Sequence, residues 1–560
     1  MKRIVVRLSA AHTCQHVSAH RLPSDNTPLG PQGCVSKFDA IIVGSGINSL
    51  VCAAVMAKRG RKVCVLEREA VLGGCIRTEA LTLPGYLHDS LSAAHPLFVA
   101  GPAYAELGAE LHAAGLAYGK NDTPTGVLLP DGRHLVLSTS RAANMARFDA
   151  LAPGDGAAYQ SALQHVEQNA ELIFTLLGNE LWSKSVAKTL AKRTWKEGLH
   201  PTTAFFGQSL QSARAWLETE VQSDLLRALL APWVLHCGLG PESPLSALML
   251  KVVAFTLEAV GMPMVQGGNA QTVHAFRQLI ERHGGVLHTG TDVVRVLVQN
   301  GKAAGVQLAD GREFLATQVV CNVTPTQLYG RLLAPEHAPE PLRQQAQAYR
   351  YGKGNLQIHL ALSEPAQWDA SELDSVGYVH LTPGLHGVAR AVDEAQRGLL
   401  PAEGTIVVGQ PSVVDPSRAP AGGGVLWVQL PECPRTIRGD AAGEIAVPPD
   451  GAWTEAVREA YADRIVARMA RQSPNLRRAI VGRKVLSPAD LERMNINLVG
   501  GDPYSGECSL DQYLLWRPLP GVKDHQTPVK NLWHIGASTH PGPGLGGGSG
   551  MHVANQLARK

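Results

Sequence analysis

The chain has 560 residues, 45% of them hydrophobic and 18% charged, with 57 glycines and 36 prolines. One core seldom grows past about 250–300 residues, so two domains are expected, and the composition suits an α/β enzyme rather than a disordered chain or a coiled coil. The 51 basic and 48 acidic residues leave a net charge of +3 with no basic stripe interleaved with aromatics, which excludes nucleic acid as a partner.

The nine cysteines, at 14, 34, 52, 64, 75, 237, 321, 433 and 508, include no Cys-x-x-Cys pair. An odd number at irregular spacing reads as free thiols in a reducing compartment, not as a disulfide framework or zinc ribbon. No metal site is expected. No stretch reaches the roughly 18 apolar residues of a membrane span. The richest, 225–264, is interrupted by Arg227, His236, Glu242, Lys251 and Glu258 and reads as buried or interfacial helix. Residues 1–37 are irregular and carry Lys2, Arg3, Arg7 and Arg21 with no acid before Asp25. Mitochondrial presequences share that pattern, but a loose N-terminal extension is the simpler reading.

Order begins at Phe38. Residues 38–43 are short, apolar and β-branched, as in a buried parallel strand. A glycine turn follows, then a helix over 48–59 with Ala53, Ala54 and Ala57 for close packing, then a strand over 62–66 ending at Glu67. Residues 102–261 read as mostly helical. The α/β style returns near Gly267, with a helix over 271–283 and strands at 293–298, 304–308 and 318–321 joined at Gly301 and Asp310-Gly311. Strands at 356–362 and 424–430, a loop at 421–424 and a helix over 453–472 come next. A strand from Asn531, a glycine-rich loop and a closing helix end the pattern. The expected architecture is α/β: a discontinuous Rossmann-type domain from 38–110, 261–325 and 490–560, with a mixed, largely helical substrate domain from 111–260 and 326–489 inserted.

Gly44-Ser45-Gly46-Ile47-Asn48-Ser49 lies between strand and helix. The first glycine permits the turn, and the second lets a pyrophosphate approach the helix N-terminus, where free N–H groups and the dipole favour anions. Ser49 stands where a third glycine is usual, and it is still small. Glu67 lies about 20 residues on, where a carboxylate holds ribose hydroxyls and repels a 2′-phosphate; the dinucleotide is therefore FAD or NAD, not NADP. Arg68, Gly73, Gly74 and Arg77 follow directly. A bare glycine pair there would let backbone lie against a flavin, which favours FAD. The tail, Gly536-Ala537-Ser538-Thr539-His540-Pro541-Gly542-Pro543-Gly544-Leu545-Gly546-Gly547-Gly548-Ser549-Gly550, is a second tight-approach loop. The positive end of its helix would stabilise the charge that a reduced flavin gathers.

These pieces resemble the phytoene desaturase-like FAD oxidoreductases, in the branch holding the desaturase-like carotenoid ketolases and pyridine nucleotide-disulfide oxidoreductase domain-containing protein 2. The resemblance runs from Phe38 onward. It includes Pro263-Met264-Val265-Gln266-Gly267-Gly268-Asn269, Ser505-Gly506-Glu507, Ser509-Leu510-Asp511-Gln512 and Arg517-Pro518-Leu519-Pro520-Gly521. It implies FAD across a discontinuous domain, with Val293 contacting adenine through its backbone. Ser49, Cys75 and Pro543 depart from the family pattern without removing a required contact. No cysteine pair near the glycine loops could act as a redox dithiol.

Catalytic residues are not legible, because a flavin accepting hydride supplies the hard chemistry and the protein need only orient substrate and exclude water. His540, Arg517 and Asp511 are the candidates. The plainer readings are loop packing for His540, an ion pair with Glu507 or Asp511 for Arg517, and loop fixing for Asp511. His236 and Cys237 read as core. The leading function is FAD-dependent oxidation of a small lipophilic, isoprenoid- or carotenoid-like substrate through an apolar tunnel. Its mouth would lie at a membrane surface, with 225–264 as the candidate approach. An amine oxidase shares the fold, but few aromatics lie near the tail, where Trp533, Tyr504, Tyr513 and Trp516 are the nearest. A flavin-binding regulator is the third reading; an intact glycine set counts against a flavin-free scaffold. The expected location is the cytoplasm or a membrane periphery, with the mitochondrial matrix as the alternative.

Overall fold

Val43, Asn322 and Ile535 are far apart in sequence, yet parallel strand pairing brings them to one edge. In the computed structural model, which describes residues 37–558, β1 (Lys37–Val43) runs parallel to β2 (Val63–Leu66) and to the strand Glu313–Asn322. The strand Glu313–Asn322 is shared. Its start pairs antiparallel with Lys302–Leu308, and its end pairs parallel with Leu532–Ile535, matching Asn322 to Ile535. Val286–His288 extends the sheet beyond β2, and Val293–Gln299 edges the antiparallel side. All the parallel strands therefore end on the same side, where ligands bind in open α/β sheets. The expected irregular extension, 1–37, and its presequence-like basic residues lie outside the described residues but for Lys37.

The first helix, α1 (Ile47–Lys58), is buried along almost its whole length, which its small residues allow. It crosses the closing helix Gly548–Ala558 at Gly550, where an added Cβ would fall 1.9 Å from the Asn48 carbonyl oxygen. Only glycine fits that crossing.

A second sheet has seven strands, ordered Ile480–Leu486, Gly354–Leu362, Gly424–Cys433, Ile406–Gly409, Tyr378–Leu381, Thr125–Leu128 and His134–Leu137. Alternation sorts its faces. Leu356, Ile358, Leu360, Leu426, Val428 and Leu430 pack with the helix Glu455–Met469, while Gln357, Trp427 and Gln429 turn to a cavity. Two expectations change here. The hairpin 125–137 interrupts the segment read as helical. The 225–264 stretch is no single helix: Pro232 and Pro241, with Gly238 and Gly240, break it into Asp224–Leu230, a tight turn Ala231–Cys237 and the helix Ser246–Val260. Leu226, Leu229 and Val234 are fully buried, so its outer part is core rather than an interfacial surface. Among the described residues, no helix is long and apolar enough to cross a membrane.

One fully buried guanidinium links the loops between the sheets. Arg418 donates to Asp89 (2.8 Å) and Asp415 (2.9 Å) and to the Val265 carbonyl (3.0 Å). Asp89 also accepts Thr78 Oγ1 (2.7 Å) and Asn269 N–H (2.9 Å), and Asp415 accepts Gly267 N–H (2.7 Å). Burial pushes the Asp89 carboxyl up, and the neighbouring Arg418 opposes that shift. Removing one partner of such a pair strands the other charge. Arg418→Met is expected to cost about 3–5 kcal/mol, read as a fall in the urea midpoint, with Arg418→Lys in between.

Candidate active site

The loops at the carboxyl edge of the first sheet wall a cavity of about 890 Å³. That is near the top of the range for small-molecule sites. Of the residues singled out from sequence, Gly44, Ser45, Gly46, Asn48, Glu67, Arg68, Gly73, Gly74, Arg77, Val293, Ala537, Gly544, Gly546, Gly547 and Gly548 line it. Ser49, Gly536 and Ser549 lie behind the wall as supports. Ser549 Oγ accepts the Gly536 N–H at 3.0 Å, and Ser49 Oγ accepts an N–H of the Asn322 amide at 2.9 Å.

The glycine loop is held by Glu67. Its carboxylate accepts the Ser45 N–H (2.8 Å), the Ser45 hydroxyl (2.5 Å) and the Glu69 N–H (2.9 Å), while Ser45 Oγ accepts the Gly73 N–H (2.8 Å). The acid read as a ribose ligand thus also ties the two glycine turns together. Gly46 has φ −62°, which any residue adopts, so space rather than strain excludes a side chain there. A Cβ on Gly74 would lie 3.1 Å from the Gly46 Cα, and one on Gly46 would lie 3.2 Å from Asn322 Nδ2. Asn322 was not singled out from sequence. It closes its strand, touches the glycine loop and limits Gly536, where a Cβ would fall 2.5 Å from Asn322 Oδ1. The Arg77 guanidinium caps the Gly74 carbonyl at 3.0 Å.

The facing wall comes from the second sheet and the helical segment. Phe174, Leu177, Met249, Val252, Val253 and Leu257 supply apolar surface, and Trp233, Tyr378, Trp427, Tyr504 and Tyr513 supply rings. Tyr378 and Trp427 stack at 5.7 Å and 24°. The scarcity of aromatics near the tail therefore does not describe the site: Tyr504 and Tyr513 reach it, the second sheet adds Tyr378 and Trp427, and the helical segment adds Trp233. His236 and Cys237, read as core, also line it. Burial pulls His236 down to about 4 and pushes Cys237 up to about 12, so both are neutral at pH 7. His236 Nε2 lies 3.1 Å from His380 Nε2. The polar atoms of Asn355, Gln357 Oε1 and the indole nitrogens of Trp233 and Trp427 are buried without partners. Those orphans and the bare glycine backbone fit a large ligand with a polar edge.

The three catalytic candidates do not line the cavity. Asp511 is exposed and pairs with Arg350 at 2.8 Å, and Glu507 pairs with the same arginine at 2.7 Å. Arg517 is buried and bonds neither acid; it donates to the Ala537 carbonyl (3.0 and 2.8 Å) and to the Tyr504 carbonyl (2.6 Å). It positions the tail backbone, since Ala537 itself lines the cavity. His540 is buried and stacks on His552, 6.0 Å away at 23°. Among the described residues the cysteines are free thiols.

A family model for flavin containing amine oxidoreductases matches residues 50–470. Pyridine nucleotide-disulfide oxidoreductase domain-containing protein 2 of Rattus norvegicus is 27% identical over 95% of each chain. A limonene dehydrogenase polypeptide of Castellaniella defragrans is 23% identical, over 94% of this chain and 95% of that protein. A neurosporene-forming phytoene desaturase of Cereibacter sphaeroides is 25% identical, over 91% of this chain and 92% of its own. Among solved structures, putrescine oxidase bound to putrescine superposes with a TM-score of 0.57 at 15% identity, over 94% of this chain and 100% of that one. An oxidoreductase from Methanosarcina mazei gives 0.56 at 16% identity, over 93% and 100%. These structures share the fold. The glycine cradle and the matched family agree on the cofactor: the chain belongs to the flavin containing amine oxidoreductase family and is an FAD-dependent oxidoreductase.

Proposed function

We propose that the protein oxidises a neutral, lipophilic, isoprenoid-like substrate, with FAD lying along the wall built by the first sheet. One observation carries this reading. Among the described residues, the wall formed by the second sheet and the helical segment has no Asp, Glu, Lys or Arg; the charged lining residues Glu67, Arg68, Glu69, Arg77, Asp292 and Arg331 come from the first-sheet side. A cationic substrate would find no carboxylate there, whereas an apolar chain finds aliphatic side chains and rings, set among the neutral amides of Asn355, Gln357 and Gln429. Two of the relatives are, by name, a dehydrogenase and a desaturase, which supports the same class.

In this reading Gly44, Ser45 and Gly46 with the N-terminus of α1 hold the pyrophosphate, Glu67 the ribose, and Val293 the adenine side. Ala537 and the 544–548 backbone face the flavin. Bound FAD supplies the hydride acceptor. The chain's part is positional: the rings and aliphatic side chains orient a C–H bond and exclude water. A second reading, oxidation of a small uncharged amine, draws on the stacked Tyr378–Trp427 pair and on the putrescine oxidase fold.

Leu97 and Phe174 line the cavity and are 46% and 45% exposed, which marks a mouth. The helix Lys184–Glu197 packs beside the Phe174 helix. At about 100° per residue, Lys184, Lys188, Lys192, Lys196 and Trp195 share one face, and Val186 and Leu190 turn inward. Trp195 is 90% exposed and Trp182 is 58% exposed. Basic residues around exposed indoles suit an anionic membrane surface, from which a lipophilic substrate would enter. This face replaces the buried 225–264 stretch as the membrane contact.

Three measurements check this reading. Gly46→Trp is expected to yield a folded but colourless protein, and full flavin occupancy would refute the cradle. Anaerobic addition of a host lipid extract is expected to bleach the flavin bands of the wild type; bleaching by small amines instead would install the second reading. Lys188→Ser combined with Lys196→Ser is expected to weaken sedimentation with phosphatidylglycerol vesicles about 30-fold, at about 1 kcal/mol per lysine. Equal binding by both proteins would remove the membrane contact.

A further inference from the structure

Beside the glycine-rich tail, three histidines and a glutamate meet in the interior. Glu180 follows the helix Ala170–Gly178, His525 precedes the last strand, His540 lies in the loop and His552 is on the closing helix. His525, His540 and His552 are 0%, 5% and 8% exposed. His525 Nδ1 lies 2.5 Å from Glu180 Oε1, which also accepts Gln556 Nε2 at 2.7 Å. One ligand atom from each of Glu180, His525 and His552 lies within 4.8 Å of the others.

Hydrogen bonding leaves this cluster unfinished. Glu180 Oε2 and both ring nitrogens of His540 and His552 are buried without a partner. Buried polar atoms are ordinarily satisfied, and so many orphans at one point call for a ligand. The surroundings suit a cation. His525 Nε2 donates to the His540 carbonyl at 2.9 Å, which turns Nδ1 toward the cluster. The backbone carbonyls of Leu176 and Gly178 lie beside the rings of His540 and His552. A carbonyl that accepts from one ring nitrogen, as the His540 carbonyl does from His525, fixes the tautomer that leaves the other nitrogen free to ligate.

We propose that Glu180, His525 and His552 bind a divalent transition ion of the zinc class, with water in the fourth position and His540 accepting from that water. Two imidazoles and a carboxylate form a borderline-soft set suited to zinc. Bonds of about 2.0–2.1 Å set tetrahedral ligand atoms about 3.4 Å apart, so the widest separation would close by at most about 1.5 Å and the 2.5 Å contact between His525 and Glu180 would open. The ion would clasp the helical segment to the closing helix, whose first turn borders the cavity.

The test uses the full-length, flavin-loaded chain stripped with a chelator, then titrated with Co²⁺ alone and Zn²⁺ alone. The wild type is expected to bind about one Co²⁺ per chain with the intense visible bands of a four-coordinate site, displaced by Zn²⁺, and Zn²⁺ is expected to raise its thermal midpoint. Glu180→Gln and His525→Gln, neither of which lines the cavity, are expected to weaken binding at least about 100-fold and to abolish that rise, with far-ultraviolet dichroism and flavin spectrum retained. A wild type that takes up no Co²⁺, or only with a weak six-coordinate spectrum, overturns the site, as does uptake equal in folded variants. Should the variants fail to fold, the wild-type cobalt spectrum decides alone.

Discussion

The Arg418 knot is the constraint on which the cavity depends. A guanidinium with no solvent access must be neutralised and hydrogen-bonded, and its partners come from three loops. Those loops carry the turn after Arg77, the turn before Asn269 and the link between strands of the second sheet. Fixing them to one buried charge holds Leu91–His95 and Met262 where they line the cavity. Geometry that a loop alone would not keep is therefore set from inside.

Around that knot the two sheets divide the work. The first contributes bare backbone and charge at the ends of parallel strands, and the second contributes side chains from the face of an antiparallel sheet. The difference follows from strand geometry. Parallel strands release their loops on one edge, so glycine-rich turns collect there, whereas a pleated face presents every second side chain. A cofactor with a phosphate middle and a planar reactive end matches the first.

The β1–α1–β2 unit and the glycine loops were legible because their signals are local: a β-branched run, tight turns and an acid at a fixed offset. The hairpin 125–137 had its signal too, Pro130-Asp131-Gly132 between apolar runs, but helical neighbours on both sides masked it. The wall of rings was not legible. Tyr378 and Trp427 meet through strand pairing and Trp233 packs in from the helical segment, at separations of 49 to 194 residues, and nothing near them in sequence marks them as a site. Arg418 and Asp89 lie 329 residues apart, so neither discloses the other. Arg517 was found as a motif but misread, since its partners are backbone carbonyls, which leave no trace in composition. Asn322 hid as an ordinary polar residue at the end of a strand.

The shared strand Glu313–Asn322 has a consequence for biosynthesis. Its second half waits for Leu532–Ile535, and Asn48 meets Gly550 across 502 positions. On the ribosome, the nucleotide loop at 44–46 emerges early but stays one-sided until the closing strand and helix leave the exit tunnel. The full set of glycine loops around the cavity is therefore assembled only when that strand and helix are in place. Until then the chain carries an open sheet edge at Val319–Asn322, the kind of edge that must be shielded from aggregation.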